Sequence, residues 1–337
     1  MKVLGMGNAL VDIMTRLENE EVLNTFGLPK GSMTLVDLDT SNFIHAETAG
    51  LHKQKASGGS AANTIHGLSH LGIETGFIGK VGDDDLGRFF RKDMKVNKIQ
   101  PILFNSIHET GRALALVTPD SERTFATYLG AAVELAEEDL TSVIFEEYDY
   151  FYVEGYLVQS HDVLEKALRL AKKNKLKICL DLASYNVVEE HKAFFLSMIK
   201  NYVDVLFANK EEAAAITGEK PEKAAEMLGK LANIVVVKLG AEGSLVHTDT
   251  TNYRVGVRAS KAIDTTGAGD LYASGFIFGL IQGYYLDICG NIAAAVSGRV
   301  IENIGAKMDE STWENLRREI VSITDSGQEG SGGGKTD

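Results

Sequence analysis

Cysteine, basic charge and long apolar runs are all scarce in this chain, and each scarcity removes a class of protein. Cysteine occurs twice in 337 residues, as Cys179 and Cys289. Both lie in apolar runs, where a free thiol behaves as a small buried hydrophobe. No disulfide framework is expected, and a reducing compartment suits the composition. Lysine and arginine number 34 against 47 acids, a formal charge of −13. A surface this acidic repels nucleic acid and anionic membranes, so neither is an expected partner. The most apolar stretch, Leu271 to Ile281, is about half of the ~20 residues that cross a bilayer. The opening Met1-Lys2-Val3-Leu4-Gly5 lacks the apolar core of a signal peptide. The expectation is a soluble, cytoplasmic protein.

What the chain does have is a globular composition, 44% hydrophobic and 24% charged, and a regular rhythm. Short strand-like runs occur at Val3–Met6, Thr75–Val81, Tyr150–Val153, Lys177–Asp181, Asp204–Ala208 and Ile234–Leu239. Amphipathic helical segments, among them Asp162–Lys173, Glu190–Lys200 and Pro221–Leu231, fall between them. Strand alternating with helix predicts an α/β fold, a mostly parallel sheet with helices on both faces. Ligands of such sheets bind outside the carboxyl ends of the strands. Four segments break the rhythm: 11–17, 33–36, 111–118 and 123–129, the last two flanking the polar turn Pro119-Asp120-Ser121-Glu122. They predict a small separate β-sheet, placed as a lid on a single domain spanning 1–325. The Gly- and Ser-rich tail 326–337 is expected to be disordered. No internal repeat is visible.

Five motifs carry chemistry. The first is Asp264-Thr265-Thr266-Gly267-Ala268-Gly269-Asp270, running into the apolar Leu271–Leu280. Small residues at a buried helix start leave amides free to hold an anion. An acid placed there can accept a proton from a hydroxyl, although taken alone Asp270 also reads as a helix cap. The second is Gly58-Gly59-Ser60-Ala61-Ala62-Asn63, a glycine pair before a helix. It permits close approach of a ligand, or simply tight packing. The third, Gly7-Asn8-Ala9-Leu10-Val11-Asp12, places a carboxylate beyond a buried strand, where it needs hydroxyls or a cation, unless it is an ordinary turn acid. The fourth, Asn209-Lys210-Glu211-Glu212, is a complete capping box that could equally organise a metal and its waters. The fifth is the glycine-punctuated loop Lys238-Leu239-Gly240-Ala241-Glu242-Gly243, suited to lie against a nucleotide.

In this order the five motifs resemble those of the ribokinase (PfkB-type) sugar and nucleoside kinases. Gly58–Gly72 is similar to the first family signature and Asp264–Gly275 to the second, and the resemblance runs from about Val3 to Ala306. It implies a Rossmann-like core with a β lid and a kinase that phosphorylates a hydroxymethyl group. By that likeness Asp270 is the catalytic base, and the amides of Gly267, Ala268 and Gly269 form an anion hole. Asn8, Asp12, Gly58, Gly59 and Asn63 hold the acceptor, and Arg123 reaches over it from the lid. Asn209, Lys238, Gly240, Gly243, Thr265 and Gly267 line an ATP site. Asn209 and Glu212 organise Mg²⁺ through water and phosphate, and a monovalent cation, K⁺, sits by Asp264 and Thr266. Pairing of lids implies a homodimer.

The spacing of Asn8 and Asp12, and the run Arg123 to Ala132, look more like the adenosine-kinase branch. The acceptor expected is therefore an adenosine-type nucleoside. Alternatives are a ribose- or fructose-type sugar, or a non-catalytic nucleoside-binding regulator. Phe43, Phe104, Phe125 and Tyr128 are candidates to clamp a purine. Other motifs fail on inspection. Gly330–Thr336 imitates a P-loop but has Glu329 where the first glycine belongs. Gly5-Met6-Gly7 lacks the third glycine of a dinucleotide fingerprint. Gly58–Ala62 lacks the last glycine of a nucleophile elbow. His66 and His70 share a helix face at metal-ligand spacing without a third ligand, so a packing role is expected.

Overall fold

The structure is a computed structural model that describes residues 1–120, 122–258 and 261–330, with the backbone alone for 326–330. Ser121 of the expected turn and residues 331–337 of the expected tail lie outside the described residues. The strands are β1 (Lys2–Met6), β2 (Leu10–Arg16), β3 (Met33–Leu35), β4 (Lys53–Gly58), β5 (Glu74–Gly82), β6 (Ile99–Ser106), β7 (Gly111–Val117), β8 (Arg123–Tyr128), β9 (Tyr150–Glu154), β10 (Lys177–Asp181), β11 (Val205–Asn209), β12 (Ile234–Lys238), β13 (Ser244–His247) and β14 (Asn252–Val255).

The larger sheet runs β14-β13-β12-β11-β10-β9-β1-β5-β6. It is parallel from β12 to β6, and β13 and β14 add an antiparallel edge. Its central strands, such as Ile-Val-Val-Val-Lys in β12, are apolar on both faces because helices cover both. Alternation sorts their side chains. Cys179, Val205, Phe207 and Val236 enter one core with the helices Ser60–His70 and Ala268–Ile281. Ile178, Leu180, Leu206, Val235 and Val237 enter the other, with His161–Lys173, Lys192–Tyr202 and Pro221–Gly229. The helix Ala268–Ile281 is buried nearly all round and lies against Leu286–Val300. Gly275 and Gly279 make the close approach possible, since a Cβ on either would press on Ala293 or Cys289. Both cysteines are buried and unpaired. No helix among the described residues is long and apolar enough to cross a membrane.

The smaller sheet runs β3-β8-β7-β2-β4. Four of its strands fall within one residue of the segments expected from sequence, and β4 joins them as an unexpected fifth. β4 is a polar edge strand, Lys-Gln-Lys-Ala-Ser-Gly, without the apolar alternation that reveals a strand. β6 escaped notice for a related reason: it is the far edge of the larger sheet and carries Pro101, which only an edge tolerates. The expected helix Glu190–Lys200 is two helices, Tyr185–Glu190 and Lys192–Tyr202, broken at His191. The last helix, Glu310–Gly330, takes in the first five residues of the tail expected to be disordered. Once a helix is nucleated, each further residue gains a hydrogen bond, so polar residues continue it.

Candidate active site

Four neighbouring strands of the larger sheet each end on a polar residue: Glu154 in β9, Asp181 in β10, Asn209 in β11 and Lys238 in β12. Parallel registration brings these ends to one edge, with Asp181 opposite Glu154 and Asn209 opposite Lys238. A cavity of about 840 Å³ opens along this edge. Asp12, Gly59, Ser60 and Asn63 line it on one side. Asn209, Glu212, Lys238, Gly240 and Gly243 line the other, with Thr265, Thr266, Ala268, Gly269 and Asp270 between. Gly267, Asn8, Gly58, Arg123 and Asp264 stand behind this lining.

The middle wall is the start of the helix Ala268–Ile281. Thr265 to Ala268 form a tight turn closed by the Ala268 N–H donating to Thr265 O at 3.1 Å. Gly267, at φ 75° and ψ 1°, holds the position where a type II turn requires positive φ. A Cβ there would also collide with Ala306. One sequence expectation is corrected here: the Ala268 amide is spent on closing the turn. The amides of Gly267, Gly269 and Asp270 donate to no protein acceptor among the described residues. The Asp270 carboxylate accepts from Ser60 Oγ at 2.7 Å and from Asn63 Nδ2 at 3.0 Å. Thr64 Oγ1 donates to its main-chain oxygen at 3.1 Å. Burial pushes the Asp270 carboxyl up to about 6, against the two hydrogen bonds that favour its ionised form.

On the first side, the chain passes from β1 through Gly7–Ala9 into β2, and from β4 through Gly59 into the helix Ser60–His70. The two crossings between sheets therefore touch. A Cβ on Gly59, at φ 96°, would strike the main-chain oxygen of Asn8, and one on Gly58 would strike the Asp12 carboxylate. Glu154 ties the crossings together, accepting from the Asn8 N–H at 2.8 Å and from the Ala61 N–H at 2.7 Å. Its carboxyl is pushed up to about 7 by burial. Asn8 thus contributes its main chain, while its side chain stands off the cavity. Asp12 faces the cavity with no protein donor among the described residues. Burial pushes it up to about 6, opposed first by the charge of Lys307.

On the other side, Lys238 Nζ donates to Asp181 Oδ2 at 2.7 Å and lies against Gly269. Despite burial, the carboxylates of Asp181 and Glu212 hold the Lys238 ammonium above its ordinary range. Burial raises the Glu212 carboxyl. Glu212 closes the capping box with Asn209: its oxygens accept from Asn209 N and Nδ2, both at 2.7 Å. Among the described residues no cluster of three His, Cys, Asp or Glu side chains is set to hold a metal. The Glu212 carboxylate and the Asn209 side-chain carbonyl, both at the cavity lining, are oxygen groups of the kind that suit Mg²⁺ and its waters.

Arg123 of β8 crosses from the smaller sheet to pair with Asp264 Oδ2 at 2.5 Å, and donates to Thr266 Oγ1 at 3.3 Å. The remaining Asp264 contacts are Thr266 N and Oγ1 on Oδ1 and Gly305 N on Oδ2. The Asp264 side chain is thus committed to Arg123, Thr266 and Gly305, while the monovalent cation expected beside it would be held through the backbone. Of the four candidate aromatics only Phe125 lines the cavity. Phe43 is exposed, Phe104 packs on the second core and Tyr128 lies under Arg112. His66 and His70 pack with tilted rings and His70 stacks on Trp313, as a packing role requires.

Four site residues went unnoticed in the sequence: Ser60, Glu154, Asp181 and Lys307. Glu154 and Asp181 had a readable signal, an acid ending an otherwise apolar strand. Ser60 sat inside a recognised motif. Lys307 had none, since its place depends on a distant loop.

Comparison with known proteins places the fold in a family. The pfkB family carbohydrate kinase domain matches residues 33–313. The 5-dehydro-2-deoxygluconokinase of Bacillus subtilis (strain 168) is 27% identical over 90% of this chain and 97% of its own length. Among solved structures, adenosine kinase from Sinorhizobium meliloti is 34% identical, with a TM-score of 0.84 over 94% of this chain and 99% of its own. A probable sugar kinase from Rhizobium etli CFN 42 is 31% identical, with a TM-score of 0.86 over 96% and 98%. Motifs, two-sheet architecture and these likenesses agree, and the chain belongs to the pfkB family of carbohydrate kinases.

Proposed function

We propose that this kinase transfers the γ-phosphoryl group of ATP to the hydroxymethyl group of an adenosine-type nucleoside, with Asp270 as general base. The observation that carries the reading is the Asp270 carboxylate, fixed by Ser60 and Asn63 at the mouth of a helix with free amides beside it. The carboxylate takes the hydroxyl proton as the acceptor oxygen bonds to the γ-phosphorus and the bond to the β–γ bridging oxygen breaks, releasing ADP. Charge on the transferred group falls to the amides of Gly267, Gly269 and Asp270 and to the neighbouring Lys238 ammonium. Asp12 and Gly59 receive the acceptor hydroxyls. Gly240, Gly243 and Thr265 border the nucleotide. Mg²⁺ would supply neutralisation of phosphate charge when bound, and Asn209 and Glu212 would help to hold it. The smaller sheet serves as the lid, latched by Arg123 on Asp264, and its exposed β3 residues Met33 and Leu35 suit a homodimer.

The nucleoside is favoured by the 34% identity to an adenosine kinase. A sugar or sugar acid is the second reading, because only one candidate aromatic reaches the cavity and the relatives include 5-dehydro-2-deoxygluconokinases. ADP release from MgATP, measured with adenosine, other nucleosides, ribose, fructose and 5-dehydro-2-deoxygluconate, separates the two. Turnover with adenosine supports the first reading. Turnover confined to a sugar or sugar acid replaces it.

A further inference from the structure

Among the described residues, Lys307 Nζ is one of the buried polar atoms that find no hydrogen-bond partner. A buried, unbonded ammonium is costly, and a methionine of similar length would fill the same space at less cost. Its chain segment runs directly behind the site. The Gly305 N–H donates to Asp264 at 2.6 Å and Ala306 packs on Gly267. Lys307 then lies within the field of three carboxylates on three elements: Asp93 of the helix Asp85–Val96, Asp12 of β2 and Asp270. It is hydrogen-bonded to none of them. Asp93 is already engaged by the Ser57 N–H at 3.2 Å. His66 and His70 face Lys307 from the helix Ser60–His70 and are held neutral-leaning by burial and, secondarily, by its charge.

We propose that Lys307 is an electrostatic positioning residue, whose unbonded ammonium sets the charge that Asp12 and Asp270 present to the acceptor. The inference rests on the reading of Asp270 as the base. Lys307 is the first charge opposing the effect of burial on Asp12. Arg123, the other cation near Asp12, is committed to Asp264. Around Asp270 the remaining charges are Asp181, Lys238 and Glu154. Asp12 and Asp270 also repel each other, a further push upward on Asp12. Burial brings Lys307 down to about 8, so it stays charged throughout the range in which the two carboxyls gain their protons.

The test is the pH profile of kcat/KM with adenosine and saturating MgATP for the native enzyme, Lys307→Met, Lys307→Gln and Lys307→Arg. Loss of the charge is expected to move the acid limb up by about one pH unit, roughly a fivefold loss at pH 6 and a tenfold loss well below it. Lys307→Arg, which keeps the charge, restores the native limb. An acid limb unmoved in both the Met and Gln variants overturns the proposal. Infrared titration of the buried carboxyl stretch needs no turnover. The proposal fails equally if that titration is the same with and without the charge. Asp270→Asn separates the two ideas: turnover surviving in that variant removes the base reading itself. A silent Asp270→Asn with an unmoved Lys307→Met profile removes only the role of Lys307.

Discussion

Asp270 sits where burial and hydrogen bonding oppose each other, and the balance leaves its carboxyl near 6. A base works only when ionised, so kcat/KM is expected to be full above pH 7 and to fall as pH drops through about 6. A flat profile from pH 5 to 8 would contradict the assignment. Glu154 makes a different prediction. Its carboxylate accepts two main-chain N–H groups, and an amide in its place turns its own N–H₂ toward one of them. Glu154→Gln should cost about 1–3 kcal/mol for the amide left unsatisfied, measured by denaturant unfolding. It should also weaken acceptor binding more than it slows transfer. The Glu154 carboxyl is raised in the fold, so its contribution to stability is fullest at low pH and declines as pH rises through about 7. At this scale the sequence is legible where a motif names a residue, as it does Asp270, Asp12 and Asn63. It is not legible for Lys307, whose burial is a property of the assembled fold.

The elements repeat this division. The turn Thr265–Ala268 was readable because its geometry demands glycine at one position, and glycine stands there. Gly267→Ala is expected to lose at least about 1 kcal/mol from positive φ, with a further cost from the collision with Ala306. Turnover should fall with it, because the turn aims the amides; a variant with native stability and native rate would contradict that. The central strands were readable from their unbroken apolar runs. β4, β6, β13 and β14 were not, since each lies at or next to a sheet edge and carries the polar residues or proline that edges allow. The break at His191 was hidden because apolar spacing runs on across it.

For the whole molecule, the two sheets share one hydrophobic core, the chain crosses between them beside the site at Gly7–Ala9 and Gly59, and Arg123 of the smaller sheet pairs with Asp264. The pair is enclosed, with side chains 9% and 10% exposed. Arg123→Ala leaves the enclosed Asp264 carboxylate without its counter-charge though still hydrogen-bonded to Thr266 and Gly305, a loss of at most about 3–5 kcal/mol. Thermal unfolding should register the loss, and an unchanged midpoint would show that the lid is held by other contacts. The alternation of strands and helices announced the larger sheet, but not that its row of polar strand ends would complete the site. The central claim is that Asp270 moves the proton and does not merely bind. Single-turnover transfer from MgATP and acceptor binding by calorimetry, compared for the native enzyme and Asp270→Asn, test it most directly. With Asp270 as the base, transfer is slowed by about 10²–10⁴ and acceptor binding is retained. Transfer at the native rate, or a loss wholly explained by lost binding, would contradict it.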